Sequence, residues 1–148
     1  MRTFAIALLT CVFAVAADSP FVGTWKMNKS KSTIDPKGQQ YDSLTVQFLQ
    51  EGSTLKSIPT VNGTVVPATV MDGKEHAVPA GTLSRLGATH YVSTVNGKTI
   101  ETVFKRDGKI FGTRKTSLSP DGKSSTSVTE ATLPDGQKTH TTIVFEKQ

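Results

Sequence analysis

The residues best placed to do chemistry in this chain are His76, His90, His140 and Arg114. A histidine is the side chain that most readily takes up and releases a proton near neutral pH, and it is a common metal ligand. The three histidines stand far apart, with no second His or Cys at a ligand spacing, so no zinc or haem centre and no other cofactor is expected. No Ser-His-Asp set can be nominated, and the abundant Ser and Thr read as solvent-facing strand residues. Catalysis would need His90 or His140 to meet an acid across the fold, so an enzyme is the third choice of function. Ser53-Thr54-Leu55-Lys56 has the Ser-x-x-Lys form of penicillin-binding enzymes, but it falls in an extended run and lacks its companion motifs. Arg114 shares its strand face with Ile110 and Leu118 by period two. Pointing inward it would meet an anionic ligand; at a strand end it would reach solvent or cap a barrel floor beside Trp25.

The charges argue against other partners. Single lysines sit at turns (Lys74, Lys98, Lys109, Lys123), where they keep strand edges solvated. Lys29-Ser30-Lys31 and Lys105-Arg106 are short surface clusters without interleaved aromatics, so nucleic-acid binding is not expected. No Gly-rich loop follows a strand and opens a helix, which argues against nucleotides.

These residues must be positioned by the elements around them. Residues 1–17 read as a secretory leader: Arg2, then an apolar run from Phe4 to Val15, then the small residues of Val15-Ala16-Ala17. The run is too short to span a bilayer, which takes about 20 residues. Cleavage would leave 18–148 as one soluble domain, secreted or periplasmic, monomeric, and without the sole cysteine, Cys11. Phe21 to Asn28 reads as a first strand, and 29–40 as a polar loop. In Tyr41 to Gln50, Leu44, Val46 and Phe48 alternate with Ser43, Thr45 and Gln47, the period of a half-buried strand. Further strands are expected at 53–59, 64–70, 89–95, 98–106, 109–118, 124–132 and 137–146. Gly-centred turns such as Asn62-Gly63, Asn96-Gly97 and Asp107-Gly108 join them, and 74–87 reads as an edge piece and a loop. The expectation is an all-β fold: an antiparallel up-and-down meander of roughly eight to ten strands closing into a β-barrel.

Phe21-x-Gly23-x-Trp25-Lys26 resembles the opening strand of the calycin barrels, the lipocalins and the intracellular fatty-acid-binding proteins. Thr141 to Lys147 resembles their last strand, which pairs back to the first. The layout is also similar to small secreted bacterial lipocalin-like proteins that begin with Gly-Thr-Trp-Lys. The resemblance implies a lipocalin-like barrel. Two departures limit it. The Arg and Tyr with which fatty-acid-binding proteins hold a carboxylate on the final strand have Ile143 and Phe145 in their places. The helix pair that lids those proteins has no counterpart in 29–40.

A small barrel either fills its interior or holds one small ligand. Trp25, Phe48, Phe104, Ile143 and Phe145, with Arg114, are the candidates for a ligand-binding lining. The leading expectation is non-catalytic binding of a small apolar or amphipathic molecule. The alternative is a protein-interaction or inhibitor module that uses loops 29–40 and 74–88.

Overall fold

The computed structural model describes residues 17–80 and 84–148. The expected leader therefore lies outside the described residues except for Ala17. Eleven strands form one antiparallel sheet: β1 (Gly23–Met27), β2 (Leu44–Glu51), β3 (Thr54–Val61), β4 (Thr64–Val65), β5 (Thr69–Met71), β6 (Glu75–Ala77), β7 (His90–Asn96), β8 (Thr99–Arg106), β9 (Lys109–Leu118), β10 (Ser124–Thr132) and β11 (Lys138–Lys147). The turns carry this order. Asn62-Gly63 and Asp107-Gly108 both adopt consecutive positive φ angles, 51° then 82° and 51° then 75°. That is the type I′ geometry whose twist matches the strands it joins.

The chain expected as one strand over 64–70 is two. Pro67 has no N–H to give a ladder, so the run breaks there. β4 folds back on the end of β3 (Thr60 opposite Val65), and β5 returns to its beginning (Leu55 opposite Met71).

The sheet curls round through one paired seam, β1 with β11, and through a second where no ladder joins its two ends. β1 lies between β2 and β11, with Trp25 opposite Lys147 and Val46. At the other seam the run 69–77 passes from one edge to the other: β5 pairs with β3, and β6 pairs with β7. Between those two pairings Gly73 N donates to Ser93 O at 2.9 Å, and within β5 Val70 N donates to the Tyr91 hydroxyl at 2.8 Å. A side-chain oxygen thus takes the place of a ladder carbonyl at this link.

Two apolar clusters make up the core of the barrel. The larger includes Phe21, Trp25, Leu44, Phe48, Ile143 and Phe145; the smaller holds Leu86, Tyr91, Phe104, Ala131 and Leu133. Loop 29–40 is not a free appendage. After a single 3₁₀ turn (Lys29–Lys31), Thr33 bridges Thr142, and Asp35 N donates to Thr141 Oγ1 at 3.1 Å. The Asp35 carboxylate accepts from the backbone N–H groups of Lys37 and His140, which hold its pKa below the ordinary value. The loop so extends the cover of β11 beyond the end of β1.

The register of β8 on β9 shifts between Phe104 and Lys105, a bulge. Up to it, Gly112, Arg114, Thr116 and Leu118 alternate inward. Beyond it the alternation is lost, and Ile110 is 63% exposed. Ile110 therefore does not share the face of Arg114, contrary to the period-two reading, because the bulge inserts one residue. Gly112 stands directly opposite Ala131 of β10. A Cβ there would stand 2.9 Å from both Ala131 Cβ and Glu130 O. Gly112→Ala is expected to cost about 1–3 kcal/mol through this overpacking, read as a lower denaturant midpoint with an unchanged slope.

Candidate functional site

The barrel is hollow between its two apolar clusters. About 130 Å³ of the interior is open to the centre of a water-sized sphere, within about 1060 Å³ free of protein atoms that includes the mouth. A single water needs roughly 10–15 Å³ by the first measure, so the space suits a small organic molecule. All six candidates from the sequence, Trp25, Phe48, Phe104, Arg114, Ile143 and Phe145, are on its wall. Strand alternation brings them together from β1, β2, β8, β9 and β11, since every second residue of each faces inward.

The wall has an apolar part and a hydroxyl part. Tyr41, Leu44, Val46, Val61, Met71 and Ile100 extend the apolar part beyond the expected residues. The hydroxyl part was not foreseen, because Ser and Thr read as outward. Ser57, Ser93, Thr102, Ser125 and Ser127 line the cavity and are buried. Except for Ser125, each pairs with a hydroxyl across the ladder. Ser57 faces Thr69 with 2.5 Å between oxygens, Ser93 faces Thr102 at 2.7 Å, and Thr116 donates to Ser127 at 3.0 Å. Each is a directly opposed pair. Mutual hydrogen bonding removes most of the penalty that would keep a hydroxyl out of a core. A pattern of alternating Ser and Thr cannot say which of its two faces is inside.

Arg114 is the cation of this wall. Its Nε donates to Thr129 Oγ1 at 2.9 Å, and its guanidinium carbon lies 5.3 Å from the centre of the Phe104 ring. It is half-buried, and among the described residues no carboxylate lies within ion-pair distance of it. It does not cap the floor beside Trp25; Lys147 has that place, its Nζ 5.3 Å from the indole. The register continues Arg114 sideways as Ser93, Thr102, Arg114, Thr129 and Thr141, one opposed to the next from β7 to β11. Of this row Ser93, Thr102 and Arg114 line the cavity.

The mouth is bordered by Gln39, Val78 and Pro79, which line the cavity. Gln39 Oε1 accepts from Arg85 N at 3.2 Å, so the two loops nominated for protein contact touch each other over the barrel. The exposed large apolar side chains among the described residues are Val65 and Ile110, and neither belongs to these loops. Arg106, read in sequence as part of a surface cluster, is half-buried. Its Nη2 donates to Leu86 O at 2.5 Å and to Thr132 O at 3.0 Å, and its guanidinium stacks 4.0 Å from the Phe111 ring centre. It ties the 3₁₀ turn Ser84–Leu86 to the barrel.

Histidines and acids lie away from the cavity. His76 Nε2 is 2.8 Å from Asp72 Oδ1, and this bond, with the Lys74 N–H, holds the Asp72 carboxyl below its ordinary pKa. His140 Nδ1 meets Glu130 at 3.2 Å on the outer surface. Among the described residues no His, Asp or Glu lines the cavity, and no cluster of such residues is placed for a metal ion. The Tyr91 phenol does line it; burial pushes its pKa up, against the bond from Val70 N.

No protein-family model matches the sequence, and no curated protein matches it. Solved structures do match in shape. The zebrafish ileal bile acid-binding protein complexed with cholic acid superposes with a TM-score of 0.59 at 14% identity, over 88% of this chain and all of that one. The fluorescent protein UnaG gives 0.61 at 18% identity, over 86% and 97%. Apo lipid binding protein 8 of Caenorhabditis elegans gives 0.63 at 11% identity, over 91% and 100%. The chain has the antiparallel β-barrel meander fold of these proteins.

Proposed function

We propose that this chain is an exported, non-catalytic binding protein whose barrel takes one small amphipathic anion. The observation that carries the reading is Arg114: a cation without a carboxylate partner, on the wall of an otherwise apolar and hydroxylated cavity. Four of its five N–H donors remain for a ligand once Nε is committed to Thr129. An anionic head group there would gain charge-assisted bonds shielded from water, while its apolar body lies against Trp25, Ile100, Ile143 and Phe145. The names of the structures sharing the fold support a binding role, since they mention a bile acid and a lipid. Export rests on the leader pattern of residues 1–17.

The test is displacement of an environment-sensitive apolar dye from the purified protein by hexadecanoic acid and by hexadecanol. The expected result is that both compete and the acid competes better. Failure of the dye and of both amphiphiles to bind would defeat the reading.

A further inference from the structure

We infer that the hydroxyl pairs flanking Arg114 are specificity-determining, and that the site prefers amphipathic anions carrying a hydroxyl on the apolar body near the charge. This deepens the ligand-binding reading and rests on it. The argument begins with hydroxyl protons. A hydroxyl has one proton to donate, so in a pair of hydroxyls one proton makes the mutual bond and the other is left over. Ser93 with Thr102 and Thr116 with Ser127 are such pairs, and no third group completes either among the described residues. In the second pair Thr116 is the donor, so the proton left over is that of Ser127. Ser93, Thr102 and Ser127 are buried, and all four residues line the cavity. Each pair therefore presents one unused donor and spare lone pairs to whatever occupies the space.

Their placement sets where on the ligand the matching group must be. Thr102 stands directly opposite Arg114 on the neighbouring strand, about 5 Å away across the ladder. Thr116 is the next inward residue along β9, about 7 Å from Arg114 at 3.3–3.4 Å per residue. These are backbone spacings; the guanidinium leans toward Phe104, opposite Gly112, so a ligand anchored there and running toward Ile100 meets the Thr102 pair first and the Thr116 pair after it. An unsubstituted alkyl chain would cover both donors and bond to neither. A hydroxyl level with either pair would satisfy one of them. Sites built to bond a ligand hydroxyl discriminate against the analogue without it, because their own buried polar groups are left unpaired.

The experiment compares hexadecanoic acid with 6-hydroxyhexadecanoic acid by dye displacement and calorimetry on the wild-type protein. Two double variants, Ser93→Ala with Thr102→Val and Thr116→Val with Ser127→Ala, are run alongside. Removing both members of a pair leaves no orphaned partner, so these variants are expected to fold, and thermal unfolding confirms it for each. Wild type is expected to bind the hydroxy acid about tenfold more tightly, and one or both variants to lose that preference while still binding the plain acid. Equal affinities in wild type, or a preference that survives in whichever variants fold, would overturn the inference and leave the ligand-binding reading intact. If neither acid binds and the dye does not enter, both fall together.

Discussion

Arg114→Met is expected to weaken hexadecanoate binding by about 10- to 100-fold, while hexadecanol binding holds or improves. The range follows from roughly 1.5–3 kcal/mol for hydrogen bonds to a charged group, where each 1.4 kcal/mol is tenfold. Methionine keeps an unbranched chain against the Phe104 ring and removes only the cation and its donors. The same change is not expected to destabilise the protein. An arginine with Thr129 as its hydrogen-bond partner and no neutralising carboxylate is a cost to the unliganded barrel. The melting temperature should stay level or rise. Loss of affinity together with retained stability is the signature of a residue kept for binding. Dye competition at neutral pH and a thermal melt read both quantities, and unchanged hexadecanoate affinity would remove Arg114 from the site.

Trp25→Leu is expected to have the largest effect on stability. The indole is 1% exposed, and its Nε1 donates to Phe21 O at 2.7 Å, so the substitution removes both packing and a buried hydrogen bond. Truncating a buried aromatic of this size costs about 3–5 kcal/mol, a large part of the 5–15 kcal/mol that holds a typical domain together. A fall in melting temperature of roughly 10–20 °C should follow. Circular dichroism is the suitable probe, since the variant loses the only tryptophan. Trp25→Phe should recover part of the loss, as it keeps a ring but leaves the Phe21 carbonyl without its donor. A Trp25→Leu cost below about 1 kcal/mol would mean that the first strand does not organise this end of the barrel.

Much of the fold was legible because local chemistry and global topology agree. Asn62-Gly63 and Asp107-Gly108 take the positive φ angles their types permit, so the hairpins could be placed from turn residues. Alternation of Leu44, Val46 and Phe48 identified β2 and its inward face, since apolar and polar residues there differ in transfer energy. The site was legible only in its apolar half. Where both faces of a strand carry Ser and Thr, as over Ser124 to Thr132, composition gives no direction, and the hydroxyl wall was read as surface. The bulge near Phe104 cannot be seen in sequence either, and it separated Ile110 from Arg114. Arg106 was misread because its partners are backbone carbonyls of Leu86 and Thr132, distant in sequence and of no particular residue type.

The seam between β1 and β11 joins the beginning of the domain to its end, with Trp25 opposite Lys147 and Gln148 N donating to Thr24 O. During synthesis the strand that carries Trp25 emerges among the first and must wait for nearly the whole chain before this partner exists. The barrel cannot close until β11 has been made. Until the final strand arrives, the edges of β1 and β10 that it will cover stand open, and the hydroxyl wall is only partly formed. Such long-range pairing makes folding slow relative to a helical protein of equal length, because the whole loop must be closed before the contact repays its cost. It also makes every residue of β11 matter to the cavity, and not only Ile143 and Phe145, which line it.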